Sequence, residues 1–188
     1  MKKIFLILCC FNTALVLCQK AEEFTILDNT KNWANEIIKF PIDWAPDLKV
    51  IGFEELLFSP NWKDPKNEQF WSLIISWKID SESSFSLKEI NHNLKNYFDG
   101  LMKPNHWSTN FPEPKVTFSK INENKKSFDF KGKMTFFDGF YTGKVITVNI
   151  LGEQYFCKKE NKVILIFRLS PKEYSHKNWR ILKKFKLE

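Results

Sequence analysis

The chain has 188 residues, 43% of them apolar and 16% aromatic, with a formal net charge of +7. That length suits one domain, and a chain of this size buries about 70% of its unfolded surface, which argues against a multidomain or coreless protein. The positive balance comes with abundant Lys, Asn, Ile and Phe together. It is read as compositional drift rather than as a surface built for nucleic acid.

The chain starts with a short basic region, Met1 to Lys3. An uncharged apolar run from Ile4 to Leu17 follows, and "QKAEE" ends it. The run is too short to cross about 30 Å of hydrocarbon, which takes roughly 20 residues, and it fits a secretory signal over residues 1–18. Two processing outcomes compete. Cleavage after Cys18 places Val16 and Cys18 at the −3 and −1 positions and starts the mature chain at Gln19. Alternatively, Cys18 is the acylated first residue of a lipoprotein, although Leu17 is larger than that motif prefers. The mature domain, 19–188, is therefore expected to be exported, periplasmic or secreted.

Three of the four cysteines, Cys9, Cys10 and Cys18, lie in the leader. Cys157 is left alone, so no internal disulfide can form and the domain rests on its hydrophobic core. In "EQYFCKK" Cys157 reads as a buried apolar thiol rather than a nucleophile.

Residues 19–30 read as a polar lead-in. Pro41 and Pro46 prevent one long helix in "NWANEIIKFPIDWAPDLKV", so a short helix at 31–38 is expected. "VIGFEELLF" reads as a strand and "SPNWKDPKNEQ" as a loop. In "FWSLIISWKI" Trp71, Leu73, Ile75, Trp77 and Ile79 alternate with Ser72, Ser76 and Lys78, the period of a half-buried strand.

Residues 86–102 carry the strongest local signals. Ser86 and Glu89 form a capping box, and Phe85 and Ile90 are spaced as a hydrophobic staple. Leu87, Ile90, Leu94, Tyr97, Phe98 and Leu101 make one apolar stripe. A β-meander follows, with strands starting at Val116, Phe128, Lys144 and Lys162. Asp138-Gly139 signals a two-residue hairpin. A helix over about 174–186 buries Trp179, Leu182 and Phe185.

These elements predict an α+β fold: a mostly antiparallel sheet of about six strands, in sequence order, with two main helices packed on it. The order β-β-α-β-β-β-β-α, ending in an apolar-basic helix, resembles that of PsbP-like domains. That resemblance implies a non-catalytic binding or assembly role. The stretch "FPIDWAPDLKVIGFEELLFSPNW" also resembles uncharacterised bacterial secreted proteins, over residues 36–80. Neither resemblance supplies site residues.

Catalytic and metal signatures are absent from the sequence. There is no GxSxG, HExxH, CxxC or acidic calcium loop, and the glycines are scattered over turns rather than gathered in a phosphate loop. His92, His106 and His176 are dispersed. His92 and His106 could meet Glu113, but solvated histidines are the expectation. No cofactor is implied. Glu54 and Glu55 are adjacent in a strand, so their side chains point to opposite faces. An exposed edge carboxylate is expected; the alternative is that one faces a cavity with a raised pKa, as a carboxylate hydrolase would need. Pairing of Glu54 with Glu153 or Asp129 depends on register.

Two surfaces remain. Lys177, Arg180 and Lys184 form a basic stripe on the last helix, which reads as a solvated face or a contact with anionic lipid. Trp62 in loop 59–69, and Trp107 and Phe111 in loop 104–114, are aromatic residues on polar, proline-rich loops, where either the rings fold back and cap the core or ligands stack on them. The expected function is an exported, non-catalytic domain binding a small molecule or an envelope partner through these loops. Nucleic acid is not expected. Membrane contact would come only through Cys18 or the basic helix.

Overall fold

The computed structural model describes residues 24–29, 31–124 and 127–188. The expected signal sequence, with Cys18, lies outside the described residues. Seven strands and two helices follow in the order β1 (Ala34–Phe40), β2 (Gly52–Phe58), β3 (Leu73–Asp80), α1 (Leu87–Met102), β4 (Lys115–Glu123), β5 (Ser127–Asp138), β6 (Lys144–Cys157), β7 (Lys162–Ser170) and α2 (Lys177–Leu182).

The fold is α+β, with one antiparallel sheet in the order β1-β2-β3-β7-β6-β5-β4. Two meanders, β1–β3 and β4–β7, join through the pairing of β3 with β7. The chain does not therefore keep strict sequence order across the sheet. Helix α1 carries it over one face, from β3 to the far edge, where β4 begins.

The seventh strand is β1, where a short helix was expected. Its Ile38 stands opposite Glu54 and its Phe40 opposite Gly52. Pairing along a complete strand outweighs the weak helical pattern of eight residues, because short helices gain little without tertiary support. Strand β3 is central, so both of its faces are covered. Ser72, Ile74 and Ser76 are as buried as Trp77, and the half-buried expectation fails there.

Helix α1 forms as its sequence dictates. Ser86 caps it, accepting from Glu89 N–H, while the Glu89 carboxylate accepts from Ser86 N–H at 2.7 Å. Ile90, Leu94, Tyr97, Phe98 and Met102 are buried under it against the sheet. Two glycines allow close approaches that a side chain would block. A Cβ on Gly100 would lie 2.3 Å from the Trp44 carbonyl, so Gly100 lets the 41–50 segment pack on the helix. A Cβ on Gly152 would lie 2.1 Å from the ring of Phe130, its cross-strand partner.

The β5–β6 connection is longer than the two-residue turn expected. Five residues separate the strands, and the buried Asp138 carboxylate organises them. It accepts from the N–H groups of Phe140, Tyr141 and Thr142 and from the Thr142 hydroxyl. Side-chain acceptance replaces the tight-turn geometry.

A second core covers the opposite face. Ile26 and Leu27 are buried there with Trp33, Leu57, Ile74, Ile166, Trp179, Leu182 and Phe185. Ile26 and Leu27 of the expected polar lead-in are thus core material, and Leu27 bridges to Leu187. Helix α2 is only six residues long. Buried Arg168 substitutes for a longer helix: its guanidinium donates to the carbonyls of Leu182 and Phe185 and to Glu153 at 2.7 Å. Cys157, at the end of β6, is half-buried and free.

Candidate functional site

The α1 face of the sheet is covered unevenly. Helix α1 neighbours β4 and β5. Over β1–β3 the cover comes from the 41–50 segment, through Ile42, Trp44, Ala45 and Leu48, and from the loop carrying Trp62 and Trp71. Between these covers lies a cavity of about 260 Å³. Its floor is Ile38, Leu56 and Ile75 of β1–β3. Tyr97, Phe98 and Leu101 of α1 form one wall, and Trp44, Trp62, Trp71 and Phe140 complete it. The chain has seven tryptophans, and three of them line this one space.

The aromatic residues are locked together. Trp62 stacks on Phe58, with centroids 4.4 Å apart, and meets Trp71 and Tyr141 edge-on. Trp71 N–H donates to the Trp62 carbonyl at 3.0 Å, closing the loop between them. Trp71 has φ of +49°, a left-handed backbone that a bulky residue adopts only when its surroundings impose it. Ring contacts with Phe136 at 5.0 Å and Phe140 at 6.3 Å hold it there.

Among the described residues, Glu36, on β1, is the only charged one of the lining. Glu54, diagonal to it on β2, is fully buried behind Tyr97. The Tyr97 hydroxyl donates to one Glu54 oxygen at 2.9 Å, and Trp77 Nε1 donates to the other at 3.0 Å. Burial pushes the Glu54 carboxyl up to about 8; the two donors oppose this and the charge of Glu36 adds to it. Burial also raises the Tyr97 hydroxyl well above its ordinary value, with the Glu54 charge second. Glu54 is therefore largely protonated at neutral pH.

Glu55 points to the opposite face, as strand alternation requires. It too is buried, and its Oε2 accepts from Ile26 N–H at 2.8 Å and Leu27 N–H at 2.9 Å. Burial raises its pKa against those two donors. The expected exposed edge carboxylate is thus overturned for both residues: β1 covers β2, so β2 is no edge. Glu54 does not reach Glu153, which pairs with Arg168 and stands opposite Asp129.

Of the three aromatic loop residues singled out in the sequence, Trp62 lines the cavity. Trp107 is 79% exposed and lies against His106, and Phe111 packs edge-on against Phe137. These two share a separate surface depression with His106 and Glu113, so the two loops do not form one site. Trp44, Trp71, Tyr97 and Glu36 went unrecognised as site residues. The signal for Tyr97 was its hydroxyl in an otherwise apolar stripe. Trp71 offered only its place beside a strand.

The histidines do not converge. His92 hydrogen-bonds Asn96 at 3.0 Å, His106 meets Trp107, and His176 caps α2 by accepting from Asn178 N–H at 3.3 Å. Glu113 pairs with Lys95 at 2.8 Å. Among the described residues no group of three or more metal-ligating side chains comes together. The basic stripe is broken: Lys177 pairs with Glu68 at 2.7 Å, and Lys184 lies beyond the end of α2. No helix among the described residues is long and apolar enough to cross a membrane.

A single antiparallel sheet with an aromatic cavity under one helix defines this site. No protein-family model, curated protein or solved structure matches the chain.

Proposed function

We propose that this protein is an exported binding domain that takes a small, largely apolar molecule into the cavity between α1 and β1–β3. The observation that carries this reading is the lining: three tryptophans, a tyrosine and aliphatic floor residues around about 260 Å³. Binding pockets are concave and mostly apolar, with few polar groups to orient the guest. This volume is slightly below the roughly 300 Å³ at which pockets for drug-sized ligands begin, so the guest is small. Relative to the sequence-based expectation, Trp62 keeps its place as a ligand contact, while Trp107 and Phe111 leave it.

Export is part of the same proposal and rests on residues 1–18. The intact mass of the mature product distinguishes a free chain starting at Gln19 from an acylated one starting at Cys18.

Calorimetric titration of the purified protein with small aromatic and aliphatic probes, headed by toluene, tests the binding reading. Saturable binding with one site per chain is expected, and it should be lost in the cavity-filling variants Leu101→Phe and Ile38→Phe. Both positions are half-buried, so the larger side chain can be accommodated. Binding that survives both fillings would place the guest elsewhere.

A second reading, a carboxylate-dependent hydrolase, draws on one observation: Glu54, its pKa raised by burial as a general acid requires, stands diagonal to a second carboxyl group, that of Glu36. It ranks behind because both Glu54 oxygens already accept hydrogen bonds and Glu54 does not line the cavity.

A further inference from the structure

Two connections at one end of the sheet leave apolar side chains in water. One is the 103–114 loop after α1, and the other joins β5 to β6. They lie together: a Cβ on Gly139 would stand 3.4 Å from the carbonyl of Met102, the last residue of α1. Phe111 meets Phe137 edge-on at 5.2 Å, and Pro112, Lys115, Phe137 and Val145 border one shallow depression. Trp107 borders a second one, which shares Phe111 and Glu113 with its surroundings.

At this end Trp107 is 79% exposed, Val145 56% and Phe140 50%. Tryptophan is ordinarily well buried, and large apolar side chains gathered in solvent mark a contact surface. The fold explains why nothing in the chain covers them. Val145 stands opposite Phe137 at the end of the sheet, whereas α2 lies against β7.

The charges beside these rings have one unbalanced sign. Glu113 is paired with Lys95, and Asp99 with Lys103. Asp138 is buried, and its carboxylate is occupied by the N–H groups and the hydroxyl of its own loop. Lys115, which begins β4, and Lys144, which begins β6, are exposed and form no ion pair among the described residues. A protein partner fits this composition poorly, because protein interfaces are depleted in lysine. The boundary of an anionic bilayer fits both halves of it. Aromatic rings settle at the level of the headgroups, and lysines beside them meet the phosphates.

We propose that this end of the molecule docks on an anionic lipid surface, with Trp107, Phe140 and Val145 entering the headgroup layer and Lys115 and Lys144 facing its phosphates. The contact is peripheral. It uses neither Cys18 nor the last helix, the two membrane routes expected from the sequence, and it does not depend on the cavity-binding reading.

The test is sedimentation with vesicles of phosphatidylcholine alone and of an equimolar mixture with phosphatidylglycerol. The protein carries Cys18→Ser, which removes the acylation site, and every variant shares that N-terminus. Saturable binding to the mixed vesicles is expected, and it should weaken as salt is raised. Trp107→Ala should weaken it about tenfold, through the lost apolar area. Lys115→Gln and Lys144→Gln should each weaken it about fivefold, and neither should alter the fainter binding to phosphatidylcholine. Tryptophan emission should shift to the blue on the mixed vesicles, and in Trp107→Phe, which keeps an apolar ring, that shift should disappear while binding persists.

No binding to either vesicle would overturn the proposal; if Trp107→Ala then abolished self-association in sedimentation equilibrium, a second copy of the chain would be the occupant. Binding that survives the Trp107 and lysine substitutions but is lost in Lys177→Gln with Arg180→Gln would overturn it in favour of α2. Equal binding to both vesicles would overturn the role of the lysines.

Discussion

Tyr97 of α1 donates its hydroxyl hydrogen to Glu54 of β2 at 2.9 Å, inside the core and out of contact with water. The bond ties the helix to the sheet at the inner end of the cavity. It also places a carboxyl group where only its protonated form is comfortable.

The stability of the protein should therefore depend on pH through Glu54. Its folded pKa is about 8 against 4.5 for the free side chain. Below pH 4.5 both folded and unfolded chains hold the proton, and the stabilising term is fully present. As pH rises towards 8, the unfolded chain releases the proton and the folded chain keeps it, so stability is lost at about 1 kcal/mol per pH unit. In Glu54→Gln that slope should flatten by about one proton. Urea denaturation between pH 5 and pH 8 measures it. An unchanged slope in the variant would show that Glu54 titrates normally.

On the other face, Glu55 is the acceptor for two adjacent backbone donors, Ile26 and Leu27. Glu55→Ala should cost about 1–3 kcal/mol, because two N–H groups lose their partner in the core. Hydrogen exchange should accelerate at those two amides more than at the strands of β5 and β6. Uniform loss of protection would instead indicate a global effect.

Arg168 holds the C-terminal segment with donations to Leu182, Phe185 and Glu153. Arg168→Met keeps volume but strands two carbonyls and a half-buried carboxylate, at an expected cost of about 3–5 kcal/mol. The near-ultraviolet signal of Trp179 should weaken along with the thermal midpoint.

Trp107 and Trp62 should behave differently although both stand on polar loops. Trp107→Ala removes an exposed ring and should change stability by less than about 0.5 kcal/mol. Probe binding should be unaffected. Trp62→Ala removes the stack on Phe58 and should cost about 2 kcal/mol, below the value for a fully buried ring, and weaken probe binding. Equal behaviour of the two variants would contradict the separation of the two loops.

Gly152→Ala would drive a methyl group into the Phe130 ring. The expected cost is about 1–3 kcal/mol, read as a lower urea midpoint, since overpacking displaces the ring or the strand. Phe130→Leu in the same chain should recover part of it.

What the sequence by itself determined is what local physics controls. Ser86, Glu89 and the apolar stripe specify α1, because capping and helical spacing act within a few residues. Alternation and turns specified six of the seven strands. The tertiary structure decided the rest. Residues 34–40 became a strand because β2 offered them a full row of backbone partners. Glu54 was removed from water because Tyr97 of α1 covers it on one face, and Glu55 because the 26–27 segment covers it on the other, and no pattern within "FEELLF" encodes those neighbours. The cavity has the same origin. Glu36, Trp44, Trp62 with Trp71, and Tyr97 come from four separate stretches of chain, and only the packing of α1 off-centre on the sheet brings them around one space.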